Sequence, residues 1–333
     1  NVGQTSNRGI ELQLNAWLIE TKDFSLNATF NIGHNKNKID KLASGEKEWI
    51  LTSAWRNDVV NSDDYRAYVG GTSGLIYGYV NDGFYTVADF ESFDSKSRTW
   101  KLKEGVVDSS PLSDTPRPGN AKFKKLTPVD PNSTNPYQLT EADRTVIGNT
   151  TPKFSGGFGL NATYKGFDMS MFFNFMYDFD VLNANKIMLT TWADNKENNF
   201  LMDIASDKRW RNFDDMGNEI RYSPEVLAEF NKNATMWNPT SIGRPICMSY
   251  AVEDGSFLRL NSATLGYTLP SVWTKKVGLS KVRFYVSGNN LFTLTGYSGY
   301  DPEVNIATGL TPNIDYNRYP RSRTYTFGAQ LTF

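Results

Sequence analysis

The sequence has little of the material that most catalytic chemistries and metal sites require. Its 333 residues include one cysteine, Cys247, and one histidine, His34. Zinc sites need several Cys or His ligands, and a single cysteine forms no disulfide framework within the chain. We therefore predict no catalytic residue, no metal ligand and no cofactor, and we expect Cys247 to be a small buried residue rather than a reactive thiol.

An excess of one charge and long apolar runs are also missing. The 35 Lys and Arg residues nearly balance 36 Asp and Glu residues, which gives a net charge of −1. A nucleic-acid-binding protein would carry a basic surplus, so no nucleic-acid partner is predicted. No run of about 18 apolar residues occurs, and no transmembrane helix is predicted. The chain starts with "NVGQTSNRG", without an initiator Met or a signal peptide, and we expect it to begin inside a longer protein.

What the sequence does contain is strict alternation of apolar and polar residues. In the ending "RTYTFGAQLTF", one side of an extended strand carries Tyr325, Phe327, Ala329, Leu331 and Phe333. Strand side chains alternate with period two, so threonine, glycine and glutamine residues occupy the other side. In a fourth such strand the apolar side includes Phe173 and Phe175. The six earlier alternating segments are 8–20, 24–33, 154–164, 167–179, 261–269 and 282–292.

The connections between these seven strands alternate between short and long. A membrane barrel with tight turns on one side and large loops on the other produces this rhythm, whereas a soluble sandwich has short loops at both ends. Barrel strands need only about ten alternating residues each. In the two-residue connection between the third and fourth strands, Gly166 is expected to take the positive φ of a tight hairpin.

We therefore predict an all-β fold, a transmembrane antiparallel β-barrel with short turns in the periplasm and long loops outside. Bacterial barrels have an even number of strands, at least about eight, so seven strands form only part of one. The predicted segments are barrel strands in 1–34, a long extracellular loop region in 35–153, a barrel hairpin in 154–179, a long extracellular loop with short helices in 180–256, a second hairpin in 257–292, an extracellular loop in 293–322 and a closing strand in 323–333.

The long segments contain few motifs. Residues 108–153 are dense in Pro, Ser, Asn and Asp, so little regular structure is expected there. Short helices are expected within 183–212 and 224–233, the second with Ser223 as its N-cap. Residues 129–143 resemble a calcium-binding loop only faintly, and we do not expect bound calcium. Three tryptophans either contact a sugar or a protein partner, or pack the core of a folded loop: Trp192, Trp210 and Trp237.

Four ordered stretches of the chain are recognisable. They are "TVIGNTTPKFSGGFGLNATYKGFDMSMFF", "VEDGSFLRLNSATLGYTLP", "VRFYVSGNNLFTLTGYSGYDPEV" and "YPRSRTYTFGAQLTF". They resemble the C-terminal half of the SusC/RagA family, the TonB-dependent outer-membrane importers of Bacteroidetes. The resemblance implies a 22-stranded barrel, of which this chain supplies about seven strands, and an internal plug that lies outside this sequence.

The resemblance also implies a function and partners. The function is import of a nutrient, most often glycan oligosaccharides, beneath a SusD-like surface lipoprotein. Oligopeptide importers share the same motifs, and a receptor or adhesin barrel without transport is the alternative from another class. TonB would act through a segment outside this chain, and two SusC–SusD pairs would form a dimer.

The same resemblance assigns roles to individual residues. Five side chains would face outer-membrane lipid: Phe173, Phe175, Tyr325, Phe327 and Leu331. The ending, with Phe333 as its last residue, resembles the C-terminal signal that outer-membrane assembly machinery recognises. Many family members carry an Asp-rich, calcium-loop-like stretch before "DRTVIGN", and here the corresponding stretch, "TPVDPNSTNPYQLTEA", departs from that pattern.

Overall fold

A computed structural model describes residues 3–42, 49–52, 64–112, 115–191, 199–205, 207–242, 245–303 and 309–333. Its strands are β1 Gln4–Glu20, β2 Phe24–Lys41, β3 Trp49–Thr52, β4 Tyr65–Tyr68, β5 Leu75–Gly78, β6 Asn81–Phe84, β7 Phe90–Asp94, β8 Thr99–Leu102, β9 Ala121–Phe123, β10 Thr145–Asn149, β11 Phe154–Tyr164, β12 Phe167–Tyr177, β13 Asp180–Asn183, β14 Val252–Asp254, β15 Phe257–Thr268, β16 Lys281–Thr295, β17 Ile314–Asp315 and β18 Thr324–Thr332.

Helices are short and few in the described residues. The α-helices are α1 Ala184–Leu189, α2 Pro224–Phe230 and α3 Ser271–Thr274. The 3-10 helices are Val87–Asp89, Glu141–Asp143, Met202–Ile204, Pro239–Ser241, Ser249–Ala251 and Lys275–Val277. Within this described part of the chain, no helix is both long enough and apolar enough to span a bilayer.

Seven long strands form one antiparallel sheet, which we call the wall. Their order is β1-β2-β11-β12-β15-β16-β18, so each strand pairs with the wall strands next to it in the chain. Short connections join the strands at one end of the wall, and long connections join them at the other. This confirms both the seven alternating strands and the alternation of short and long connections.

Several wall strands extend beyond the segments predicted from alternation. β2 continues to Lys41. The sequence pattern missed this extension, because the residues after position 34 are mostly polar and show no alternation of apolar and polar side chains. β15 begins at Phe257 rather than at the predicted position 261. A bulge between Leu260 and Ser262 breaks the alternation there, so the sequence pattern did not show the start of the strand. β16 continues to Thr295, whereas β12 ends at Tyr177.

The hairpin between β11 and β12 differs from the prediction for Gly166. The positive φ, 48°, belongs to Lys165, and Gly166 is not among the residues with positive φ. A Cβ atom on Gly166 would clash with the carbonyl oxygen of Thr268 and the ring of Tyr267. The glycine is therefore needed for the close approach of the neighbouring strand rather than for its φ angle.

The described parts of the three long connections, 42–153, 178–256 and 296–323, fold together, and we call them the loop domain. One core cluster joins Tyr65 and Ile76 from the first connection, Leu182 and Ile187 from the second, and Ile314 from the third. Its described sheets are β10-β5-β4-β3, β14-β13-β17, β6-β9 and β7-β8. The described residues within 108–153 hold little regular structure, as predicted, but Phe123 and Leu139 are buried in a second core.

Two local predictions in the loop domain are confirmed. Helix α2 begins at Pro224 with Ser223 as its N-cap residue. Cys247 is buried, and burial raises the pKa of its thiol well above the usual value. A thiol held in this protonated state is a poor nucleophile, which agrees with a packing role.

Candidate functional site

One face of the wall is apolar from edge to edge. Phe173 stacks on Phe158 of the neighbouring strand, with ring centroids 4.5 Å apart, and meets the ring of Phe292 edge-on at 6.3 Å. Phe175 lies on the same face of β12. On β18 the large apolar residues are exposed, Phe327 to 81% of its surface, because no described residue of the chain covers them. The exposed apolar residues of β18 are Tyr325, Phe327 and Leu331.

An aromatic row crosses this apolar face near the short-connection end. The pairing registers place one aromatic residue on each of five consecutive strands. Two neighbouring pairs in the row are in ring contact: the Phe24 and Tyr164 centroids lie 6.3 Å apart, and those of Phe167 and Tyr267 lie 4.5 Å apart. Rows of aromatic residues border the apolar band of outer-membrane barrels. The row comprises Phe24, Tyr164, Phe167, Tyr267 and Phe284.

The opposite face of the wall is polar and internally hydrogen-bonded. Arg283 donates to both carboxylate oxygens of Asp168, over 2.8 and 2.5 Å. The hydroxyl oxygens of Thr264 and Ser287 lie 2.8 Å apart across two strands. Such a face suits a watery lumen, because its polar groups are partly satisfied within the wall and partly open to further partners.

A buried charge cluster ties the last long connection to the polar face. Arg259 on β15 is buried, with Nη2 2.5 Å from Asp301 Oδ1 and 3.2 Å from Glu303 Oε2. Arg321 Nη1 lies 3.5 Å from the same Glu303 oxygen. Asp301 and Glu303 both belong to the connection between β16 and β18. This connection is therefore bound to the wall near the start of β15.

Two of the three tryptophans named from the sequence lie in cores of the loop domain. Trp237 is 2% exposed; its indole N–H donates to the Thr190 carbonyl over 3.2 Å, and its ring meets Tyr250 edge-on. Trp210, also 2% exposed, packs directly over Gly119 and against Phe84. Their burial is what the packing alternative expects. Trp192 lies outside the described residues.

A cavity of about 500 Å³ lies beside these buried rings. In the lining of this cavity, Arg211 Nη2 lies 2.8 Å from Asp215 Oδ1. Burial and the positive charge of the nearby Arg211 lower the pKa of Arg209. Guanidinium and amide groups of this kind hydrogen-bond carboxylates and hydroxyls. Sequence reasoning did not find this cavity. Its lining includes Arg209, Trp210, Arg211, Arg221, Asn238 and Thr240.

Comparison with known proteins agrees with this architecture. No family model matches the chain. The chain is 32% identical to TonB-dependent receptor P3 of Formosa agariphila over 339 residues, which cover all of this chain and 29% of that receptor. It is 26% identical to TonB-dependent receptor SusC of Bacteroides thetaiotaomicron, covering all of this chain and 27% of SusC. The solved structure of the RagAB peptide transporter superimposes with a TM-score of 0.65 at 22% identity, covering all of this chain and 30% of that one.

The chain is a homologue of TonB-dependent receptors, SusC among them. It spans about 30% of the length of the relatives it matches. Like them, it forms part of a β-barrel in the outer membrane of a Gram-negative cell. The wall is therefore an incomplete barrel, in agreement with the fold class predicted from alternation.

Next to the stretch that departs from the calcium-loop-like pattern, oxygen atoms surround the ammonium group of Lys125. Lys125 Nζ donates to Thr127 Oγ1 over 2.9 Å and to the Gln138 carbonyl over 3.0 Å, and lies 3.4 Å from Asp143 Oδ2. Among the described residues, no group of three or more His, Cys, Asp or Glu side chains is arranged to hold a metal ion. The absence of calcium stays a prediction.

Phe333 lies at the short-connection end of the wall. Ser280, in the turn between β15 and β16, donates its N–H to the Thr332 carbonyl over 2.8 Å and its hydroxyl to the Phe333 carbonyl over 3.4 Å. The Phe333 side chain itself is exposed. The backbone is therefore fixed while the ring remains free to be bound, and the assembly role stays a prediction.

Proposed function

We propose that this chain forms part of the barrel and outer loops of an active importer, which takes up glycan oligosaccharides across the outer membrane together with a SusD-like lipoprotein. The observation that carries the proposal is the two-faced wall, apolar on one side and polar on the other, in a chain whose relatives are TonB-dependent receptors. The relatives are named as receptors and transporters, which supports a non-enzymatic role.

The same proposal gives the wall an orientation. The apolar face lies against lipid through Phe173, Phe175, Tyr325, Phe327 and Leu331, since an apolar band outside and a polar lumen inside are the stable arrangement in a bilayer. The short connections lie in the periplasm. The loop domain lies outside, where its shared core holds a firm surface for the lipoprotein lid and for cargo.

Cargo recognition by the loop domain would use the arginine-lined cavity beside Trp210. Sugars present hydroxyl groups, and acidic sugars present carboxylates, both of which accept hydrogen bonds from guanidinium groups. Trp210 and Trp237 would act indirectly by holding this surface in shape. TonB would act through a part of the protein outside this chain, and the dimer of SusC–SusD pairs stays a prediction from the resemblance.

Oligopeptide import is the second candidate function. The RagAB proteins, whose solved structures share this fold, are a peptide transporter, also called a peptide importer. A peptide also presents a terminal carboxylate and backbone carbonyls, so the same arginines suit it.

Growth of a deletion strain tests the proposal. The complete receptor gene is deleted, and growth is measured on a panel of purified oligosaccharides and on a panel of oligopeptides, each as the limiting nutrient. Loss of growth on particular glycans, restored by the intact gene but not in a strain without TonB, is the expected result. Loss on peptides alone would transfer the assignment to peptide import. Normal growth on every substrate, with the receptor present at the surface of the parent strain, would favour a receptor without transport.

A further inference from the structure

The turn between β15 and β16 exposes a cluster of large apolar side chains. Val272 and Trp273 in α3 and Val277 in the following 3-10 turn are 69%, 59% and 71% exposed. Gly278, with a φ of 77°, then ends the helical segment and reverses the chain toward β16. Three such residues within six positions form a patch that water solvates poorly.

The turn leans toward the apolar side of the wall. α3 packs against β16, and Thr274 within it is buried. Val282 is buried at the start of β16, although Phe284 and Leu331, its neighbours on the apolar face, are exposed. Contact between α3 and β16 places the turn beside the end of the apolar face. The exposed patch therefore lies at the same end of the wall as the aromatic row, which ends at Phe284.

Charge and side-chain type indicate what covers the patch. Lys275 and Lys276 lie between Trp273 and Val277 and are exposed, as is Lys281 at the start of β16. Tryptophan is enriched where a bilayer meets water, because its ring is apolar and its N–H needs a polar partner. Lysines at this level reach the phosphates of lipid headgroups. A water-soluble partner would not require both properties next to an apolar membrane band.

We propose that residues 271–277 are a membrane anchor that lies in the phospholipid headgroup layer at the short-connection side of the barrel. Val272, Trp273 and Val277 enter the edge of the acyl region, and Lys275 and Lys276 contact phosphates. The anchor holds the barrel at a set depth. This inference rests on the proposed lipid-facing side of the wall and is independent of the cargo.

Quenching by spin-labelled lipids tests the anchor in the complete receptor. Single cysteines replace Val277, Leu265 on the apolar face of β15, and Met216 in the loop domain, and each carries an environment-sensitive dye. The protein is placed in vesicles of phosphatidylethanolamine and phosphatidylglycerol that contain a nitroxide either at the headgroup or deep in the acyl chain. Position 277 is expected to be quenched several-fold more by the headgroup nitroxide, position 265 more by the deep one, and position 216 by neither.

Each other result decides against the anchor. Quenching of position 277 only by a water-soluble quencher would mean that the turn lies in water. Protection of position 277 from both lipid and water would mean that protein covers it. If position 265 also escapes lipid quenching, the lipid-facing side itself is wrong, and the anchor falls with it. Quenching at 265 but not at 277 rejects the anchor alone.

The lysines are tested by the double variant Lys275→Gln and Lys276→Gln with the dye at position 277. In the parent, replacing phosphatidylglycerol by phosphatidylcholine is expected to reduce headgroup quenching, and in the double variant this dependence on lipid charge should disappear. Equal dependence in both proteins would exclude the lysines from lipid contact. Lys232→Gln, an exposed lysine of the loop domain, serves as the control and should behave as the parent does.

Discussion

At the scale of single residues, glycines on the polar face of the wall make room for the large side chains that pack across it. Gly266 lies beneath the Asp168–Arg283 pair, and a Cβ atom there would clash with both the carboxylate and the guanidinium. The ring of Tyr285 covers Gly328 in the same way. Long side chains can therefore lie flat on the polar face of the wall.

Phe173→Lys is expected to destabilise the folded receptor by about 2–4 kcal/mol, because it places an ammonium group at the lipid-facing side near the middle of β12. Ser170→Lys, exposed on the polar face of the same strand, is the matched control and should change stability by less than about 0.5 kcal/mol. Urea unfolding of the complete receptor in vesicles measures both. Equal losses would contradict the facing of β12.

Asn174 is less suitable as a control, although it also lies on the polar face. It pairs directly with Arg259 of β15, and its amide oxygen is buried. A lysine there would oppose a buried arginine, and like charges directly opposite each other destabilise a sheet. From the alternation pattern alone, we would expect a lysine at position 174 to be tolerated. The pairing of Asn174 with Arg259 shows that this substitution would also be destabilising.

Asp143 makes the first connection sensitive to acid. Burial alone would raise the pKa of its carboxyl, but hydrogen bonds from Thr127, Thr140 and Leu126 outweigh burial and hold this pKa well below its usual range. An unfolded Asp takes up its proton near pH 3.9. The stabilisation is therefore complete above about pH 4 and is lost as the pH falls through the lowered pKa.

Hydrogen exchange measures this prediction. At neutral pH, Asp143→Asn should speed exchange of the Leu126, Thr127 and Thr140 amides by at least about tenfold, since hydrogen bonds to a charged group contribute about 1.5–3 kcal/mol. Asp214→Asn is the control, because Asp214 accepts from the Met216 and Asn218 amides in a separate exposed turn. Unchanged exchange at Thr127 in the Asp143 variant would contradict the proposed role.

At the scale of elements, local pattern predicted the wall strands but not the contacts that hold the loops. Alternation is a local signal, so it located all seven strands but missed several of their ends, for example at the bulge beside Asn261 and in the mostly polar extension beyond His34. Arg259 and Asp301 are 42 residues apart in the chain, and no local pattern links them. The burial of Trp210 and Trp237 likewise depends on partners from two separate connections, the first and the second.

Arg259→Met is expected to loosen the last connection while leaving the wall intact. Removing one partner of a buried ion pair leaves the acids without compensation and costs about 3–5 kcal/mol. Amides of residues 297–303 should therefore exchange faster, while those of β15 and β16 remain protected. Arg259→Lys, which keeps the charge but not the fork of donors, should lie between the two. Arg323→Met, at an exposed arginine before β18, is the control. Equal exchange in the Arg259 and Arg323 variants would contradict the fastening.

At the scale of the whole molecule, the shared core of the three long connections makes the loop domain one unit, which the proposed topology places wholly on one side of the membrane. Met216 is strongly exposed within it, and Lys22 is exposed in the short turn between β1 and β2 at the other end. In intact cells without the lid protein, a cysteine at Met216 should react with a membrane-impermeant reagent. A cysteine at Lys22 should react only after the outer membrane is broken. The reverse pattern would invert the topology.

The final prediction concerns Phe333 and the closure of the barrel. β18 is the edge of the wall, and in lipid its free backbone groups must pair with another strand. Phe333 follows this edge at the short-connection end, far from the loop domain, so Phe333→Asp should lower the amount of folded, heat-modifiable receptor in the outer membrane. The receptors that do assemble should import cargo at a near-normal rate per molecule, since the loops and lumen are unchanged. Tyr319→Asp, at an exposed aromatic residue in the last long connection, is the control and should assemble normally. Normal assembly of the Phe333 variant with lost uptake would instead place this residue in the transport path.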